Sequence, residues 1–423
     1  MALKSFKLNP AVRHIVLPFA AVFLIVSAGF ALKWYLGNAV SANAAQKEIA
    51  EIAVVLAPSD PQSHYALAVL SEKSFLPEDL PKSIEEFEKA AALAPNDYRL
   101  WLALGRARDR LGETEAAERA LRRALELAPN YAQVHWTLGN VLLRQGKTAE
   151  ALAEIRRAVD GDETLAVPAV ASVWQVLNTD TAEITKNIGD SPRIKAALAS
   201  LLAKEKRFDE AMRLWNEFSA ADKRDAFKKI GEEIFNLLVN EKKFADALRV
   251  RNDISEEGSA QPAAEKFTNG GFENPLVPDN VNLFDWQIGS GAQPLIGPNN
   301  EQKRSGNQSL FMIFNSANGK DWRTVSQTLV VAPERNYTFQ VFYRSDLKAS
   351  GTLKWEIADA VSGRVLASTE AVRAQADWTP LTAKFTTASE TEAIIVRLVR
   401  ESCATPVCPI SGKIWFDDFS LEK

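Results

Sequence analysis

The sequence predicts a multidomain chain: one transmembrane helix at the N-terminus, an all-α solenoid, and an all-β sandwich at the C-terminal end. Three observations predict it. Residues 15–32 form an uncharged apolar run. Prolines recur at Pro58, Pro95 and Pro129, and the text around them repeats with a period near 34 residues. After "RNDISEEGSAQPAAEKF", the Ala and Leu periodicity yields to short alternating segments set among Gly, Pro, Asn and Thr. The expected boundaries are a cytoplasmic N-terminus (1–14), a membrane anchor (15–36), a juxtamembrane helix (37–57), helical repeats (58–256), a linker (257–266) and the sandwich (267–423).

The apolar run is just long enough to cross the hydrocarbon core at ~1.5 Å per residue. Lys4, Lys7 and Arg13 precede it, which holds the N-terminus in the cytoplasm, and Lys33, Trp34 and Tyr35 follow as an interfacial girdle. A cleavable signal peptide is the alternative, because Ala42 and Ala44 form a small-residue pair of the kind a peptidase cuts. The run outlasts a usual signal core, which favours a retained, single-pass anchor in the inner (cytoplasmic) membrane. The bulk of the chain then lies in the periplasm or outside the cell. A net charge of −4 leaves no electrostatic footprint for nucleic acid. Two cysteines, Cys403 and Cys408, are too few for zinc and suit a small disulfide-closed loop in an oxidising compartment.

In the repeats, Trp101, Leu104, Gly105, Ala117, Leu121, Ala124 and Pro129 stand at fixed spacing. Leu138, Gly139, Ala151, Ile155 and Ala158 follow in the next unit, and Leu67, Ala68, Phe87, Ala90 and Pro95 in the one before. Small residues let paired helices approach, and large ones fill the space between hairpins. The pattern resembles the tetratricopeptide repeat. It weakens over residues 166–190 and returns through Leu198, Ala199, Ala211 and Trp215 and then Phe244 and Ala247, for five or six hairpins. The resemblance implies a scaffold that takes protein or peptide partners on its concave face. The residues placed there are Arg99, Arg106 and Arg110 from one repeat and Trp136, Asn140 and Arg144 from the next. Lys73, Arg110, Arg144 and Lys204 share one repeat position, so a basic stripe is expected, either as an anion-binding surface or as a solvated face.

In the sandwich, Tyr337, Phe339, Val341 and Tyr343 alternate with polar residues, as do Leu353, Trp355 and Ile357. The closing "KIWFDDFSL" alternates Ile414, Phe416 and Asp418 against Trp415, Asp417 and Phe419, an acid on each face. "TNGGFENP", "SGNQSLFM", "VSQTLVVAPERNYTFQVFYRS", "ADWTPLTAKFTT" and "GKIWFDDFSLEK" follow in order. That succession is similar to the jelly-roll carbohydrate-binding modules of the family four, nine and twenty-two type. The resemblance implies a structural calcium held by Glu273, Glu301, the Arg304 carbonyl, and Asp417 or Asp418. The alternative is that these acids hydrogen-bond backbone amides with no ion. It also implies polysaccharide binding, for which Trp322, Gln340, Phe342, Arg344 and Glu356 are the candidates; a sandwich that is only a spacer or docking module stays open. No nucleophile elbow, phosphate loop or acid–base constellation is legible. The expected function is a non-catalytic, membrane-anchored adaptor suited to surface polysaccharide or envelope biogenesis, with a purely structural scaffold as the alternative.

Overall fold

The computed structural model describes residues 10–74, 76, 78–177, 179–256, 261–276, 283–318, 322–349, 352–401 and 407–423. It divides into two compact units, Met1–Lys195 and Ala196–Lys423, so the last helices group with the strands. Lys4, Lys7, the Arg13 side chain and Cys403 lie outside what is described.

Fifteen helices precede the strands among the described residues: α1 (Pro10–Ala42), α2 (Lys47–Leu56), α3 (Pro61–Glu72), α4 (Asp79–Leu93), α5 (Tyr98–Arg110), α6 (Thr114–Leu127), α7 (Ala132–Arg144), α8 (Thr148–Gly161), α9 (Ala166–Trp174), α10 (Thr181–Ile188), α11 (Pro192–Lys204), α12 (Phe208–Asn216), α13 (Ala220–Arg224), α14 (Lys228–Asn240) and α15 (Phe244–Asp253). Residues Val16–Ala42 of α1 are long and apolar enough to span a bilayer. The helix runs on past Leu36 to Ala42 without a break.

Helices α3 to α8 form three antiparallel hairpins built as their small residues require. A Cβ placed on Gly105 would lie 2.6 Å from Leu121 Cγ, and one on Gly139 would lie 2.7 Å from Ile155 Cγ1. Leu104, Ala117, Leu121 and Ala124, with Leu138, Ala151 and Ile155, are buried. A recurrent side-chain bond ties each hairpin to the preceding turn. Trp101 Nε1 donates to the Pro95 carbonyl at 2.9 Å, and at the same repeat position His64 and His135 bond the carbonyls of Pro58 and Pro129 at 2.9 and 2.8 Å. The other ring nitrogens meet Glu86 and Glu154 at 2.5 Å. The stretch over residues 166–190 folds as the short pair α9 and α10. In the second unit Trp215 packs on Gly231 and donates to Asp253 Oδ2 at 2.8 Å.

Ten strands follow: β1 (Gln287–Ile288), β2 (Leu295–Asn299), β3 (Ser309–Asn318), β4 (Val325–Val330), β5 (Asn336–Ala349), β6 (Leu353–Asp359), β7 (Val365–Ser368), β8 (Gln375–Thr386), β9 (Ala393–Arg400) and β10 (Val407–Glu422). They form two antiparallel five-stranded sheets, ordered β1-β4-β9-β6-β7 and β2-β3-β10-β5-β8. Their inner faces share one core, with Trp355, Phe339, Tyr343 and Phe416 fully buried. The closing strand departs from simple alternation. Its register slips between Asp417 and Ser420, and Asp418 takes φ +51°. That bulge inserts one residue, so Phe416 and Phe419 both enter the core instead of facing opposite ways.

Candidate functional site

Two clefts gather the chemistry. The first lies on the helical repeats, where α5 and α7 present their exposed faces side by side. Arg106, Asp109 and Arg110 of α5 and Gln133, Trp136, Thr137, Asn140 and Arg144 of α7 line a cleft of about 280 Å³. Repeat spacing explains the gathering: residues 34 apart occupy equivalent helical positions, so Arg106 is matched by Asn140 and Arg110 by Arg144. Five of the six residues expected from sequence meet here. Arg99 does not; its guanidinium is folded back on Asp97, 2.9 and 2.6 Å away.

The charges in this cleft are unequal in their commitments. Arg110 pairs with Glu72 of α3, and Arg144 pairs with Asp109 of α5. Lys204 does not line this cleft; in the second unit it holds Glu233 at 2.7 Å. Three of the four members of the expected basic stripe are therefore partly neutralised, an acid beside each cation. Arg106 differs. It is half-buried between α5 and α7 and makes no hydrogen bond or ion pair among the described residues. Burial, and then the charge of Arg110, push its pKa below the ordinary arginine value. Trp136 stands half-buried next to it, and Asn140 is held by bonds to the Trp136 carbonyl (2.8 Å) and from Ser172 (3.3 Å). The cleft thus offers an unpaired cation, an aromatic face and the held amide of Asn140.

The second cleft, about 510 Å³, opens on the outer face of the β2-β3-β10-β5-β8 sheet, lined by Gln302, Arg344, Asp346, Gln375, Asp377 and Trp415. Register builds it: Trp415 sits opposite Phe311 on one side and Arg344 on the other. Phe311 stacks on Trp415 at 5.1 Å and 22°. Arg344 meets Asp377 at 3.3 Å, and Gln375 donates to Asp346 at 2.7 Å.

Of the five residues proposed for sugar, only Arg344 reaches this cleft. The Arg304 guanidinium covers Phe342, 3.4 Å from the ring centre. Gln340 is half-buried further along β5. Trp322 lies parallel to Phe314 at 6.1 Å, packed on the core. Glu356 belongs to the opposite sheet, where Arg397 Nε holds it at 2.8 Å. Trp415 was missed because its role depends on strand pairing, which alternation within one strand does not specify.

The acids read as calcium ligands come together at one corner, but as acceptors of N–H groups. Asp417 Oδ2 accepts the amides of Arg304 (2.9 Å) and Ser305 (3.2 Å), and Oδ1 accepts that of Asp418 (2.8 Å). Glu273 Oε1 takes the amides of Asn307 (2.8 Å) and Gln308 (3.1 Å), which hold its pKa below the usual carboxylate value. Asp418 pairs with the Arg304 side chain and accepts Ser305 Oγ at 2.6 Å. Glu301 is exposed. No group of three or more acids, histidines or cysteines suited to a metal occurs among the described residues. Oxygens already facing N–H donors do not make a calcium cage, so no role is derived for an ion here.

Comparison with known proteins agrees with the helical half. The tetratricopeptide repeat family model matches residues 102–166, from within α5 to the first residue of α9. No curated protein matches the chain. Among solved structures the chain is similar to MamA, at 19% identity over 47% of this chain and 89% of that chain, with a TM-score of 0.28. It is also similar to a CBM4 structure, at 16% identity over 37% of this chain and 98% of that chain, TM-score 0.28. A third is the Yersinia enterocolitica type III secretion chaperone SycD in complex with a peptide of the translocator YopD, at 18% identity over 28% and 94%, TM-score 0.26. At these scores none of the three likenesses bears on function.

Proposed function

We propose that the chain is a membrane-anchored, non-catalytic adaptor whose helical repeats hold an acidic segment of a partner protein in the cleft between α5 and α7. The observation that carries this is Arg106, half-buried and unpaired beside Trp136. A guanidinium that has lost part of its hydration without gaining an anion is costly in the free protein, and a partner carboxylate removes that cost on binding. The test uses the full chain in detergent and labelled decapeptides that are acidic, neutral or basic. Acidic peptides are expected to bind best, and Arg106→Glu to weaken them by roughly 30–100-fold, about 2–3 kcal/mol. Equal affinity for neutral peptides, or an unchanged affinity in the variant, sinks the proposal.

The sandwich is proposed to bind glycan at the Trp415 cleft, in the periplasm or outside the cell, in surface polysaccharide or envelope biogenesis. Polar groups ringed about an aromatic base support it. A second reading, a scaffold whose sandwich meets only protein, is favoured by the small exposure of Trp415, 8%, which leaves little ring face for a sugar. A glycan array probed with the full chain separates them. Retention of an envelope polysaccharide that falls at least tenfold in Arg344→Ala, about 1.4 kcal/mol, supports the first; no retained glycan favours the scaffold.

A further inference from the structure

The end of α1 is also the first helix of the array. Residues 16–36 of α1 are exposed, with Phe19, Phe23 and Ile25 each more than 70% accessible. At ~1.5 Å per residue this segment measures roughly 31 Å, the thickness of a hydrocarbon core. One residue later α1 becomes buried. Gly37 lies so close to α2 that a Cβ there would be 2.5 Å from Ala57 Cβ. Ser41 is buried, and Asn38 donates to Asp60 at 3.3 Å. A turn over residues 43–46 joins the two helices, so α2 runs antiparallel and brings Ala57 back level with Gly37, one turn from Trp34 and Tyr35.

The outer face of α2 is unusual. Ala50 and Ala53 face inward and are fully buried. Glu48, Glu51, Ile52 and Val55 share the outward face at helical spacing. Along that face the most exposed apolar residues lie toward the C-terminal end, while Ile49, 37% exposed, flanks Glu48 at the other. Glu48 and Glu51 stand at the end far from the apolar segment, and Glu51 holds Lys82 at 2.7 Å. Ile52 and Val55, 56% and 71% exposed, stand at the near end. An ordinary amphipathic helix segregates its residues around the axis to meet a core; segregation along the axis fits a boundary between water and an apolar phase crossing the helix near its C-terminal end.

We propose that Ile52 and Val55 rest in the bilayer interface beside Trp34 and Tyr35, so that the first hairpin is mounted on the membrane with no linker. This rests on reading α1 as a retained anchor. Cleavage after Ala44 would strip Gly37, Asn38 and Ser41 from α2 and leave Ala50 and Ala53 uncovered. The bilayer is the chosen occupant because Val55 lies two residues from Ala57, which meets Gly37 where the exposed apolar segment of α1 ends.

The test reconstitutes the full chain in phosphatidylethanolamine–phosphatidylglycerol vesicles, with a photoreactive diazirine amino acid replacing Ile52, Val55 or, as control, the exposed Glu115 of α6. After irradiation, mass spectrometry is expected to find at least tenfold more lipid adduct at 52 and 55 than at 115, on a chain whose intact mass retains residues 1–44. A retained anchor without lipid adducts at 52 and 55 overturns the proposal and leaves the anchor standing. Adducts to a second copy of the chain in place of lipid overturn it in favour of a dimer. A mature N-terminus at residue 45 removes the anchor and the proposal together.

Discussion

Replacing Asp417 by alanine is expected to destabilise the sandwich by about 3 kcal/mol, close to 1 kcal/mol for each amide left without an acceptor. Asp417 is fully buried, and its carboxylate takes the N–H groups of Arg304, Ser305 and Asp418. Arg304 and Ser305 belong to the segment between β2 and β3, which lies over the outer face of β10 because this carboxylate holds it there. Loss of those bonds frees the Arg304 guanidinium from Phe342 and from Asp418 as well. Hydrogen exchange on the full chain checks this: faster exchange over residues 300–308 and 407–422 is expected, and unchanged exchange refutes it. Burial raises the Asp417 pKa above the ordinary aspartate value, with the three amides opposing. The native state therefore holds a proton that the unfolded chain releases first, so this group's contribution is greatest at low pH. It falls as pH rises from the ordinary aspartate range through the raised value. In Asp417→Asn that slope should vanish, so the stability gap between wild type and variant narrows with rising pH across this window. Calcium added to the wild type should leave the unfolding midpoint where it is; a rise would restore the metal reading of this corner.

How far the sequence discloses the molecule depends on the range over which each signal acts. Helical hairpins rest on local periodicity and on small residues at fixed spacing, so Gly105, Gly139, Ala117 and Ala151 place α5 to α8 without any knowledge of the rest. The same spacing brought Arg106, Arg110, Trp136, Asn140 and Arg144 to one cleft, because equivalent positions in stacked repeats must lie side by side. What it did not disclose is which cation is free. Glu72 and Asp109 come from the inner faces of α3 and α5, and only the folded arrangement separates the paired Arg110 and Arg144 from Arg106. In the sandwich, alternation identified the core of β5 and β6, since Tyr337, Phe339, Val341, Tyr343, Trp355 and Ile357 are all buried. Strands β1 to β3 were not read as such, and β2 carries Gly297 and Pro298, which weaken a strand signal. The Trp415 cleft was out of reach because it joins residues from β5, β8 and β10 through register. The bulge at Asp418 defeats alternation altogether, and it is the reason both aromatics flanking the two aspartates can serve one core.

Gly139→Leu is expected to cost the helical array about 3 kcal/mol or more, lowering its unfolding midpoint by roughly 6–12 °C. Even a single Cβ at this position would sit 2.7 Å from Ile155 Cγ1 and 3.2 Å from the Ala151 carbonyl. The carbonyl is backbone and cannot step aside, so α7 must lift from α8. The lift also carries Trp136 and Asn140, one turn and one residue away, out of line with Arg106, so acidic-peptide binding should fail before unfolding is complete. Pairing the milder Gly139→Ala with Ile155→Ala distinguishes close approach from a general intolerance of change. Removing the Ile155 atom that meets the new Cβ should recover more than half of the loss in a double-mutant cycle followed by circular dichroism at 222 nm. Additive losses would mean that the helices are not held by this approach. The physical basis of the repeat reading would then fail at the position where it makes its sharpest demand.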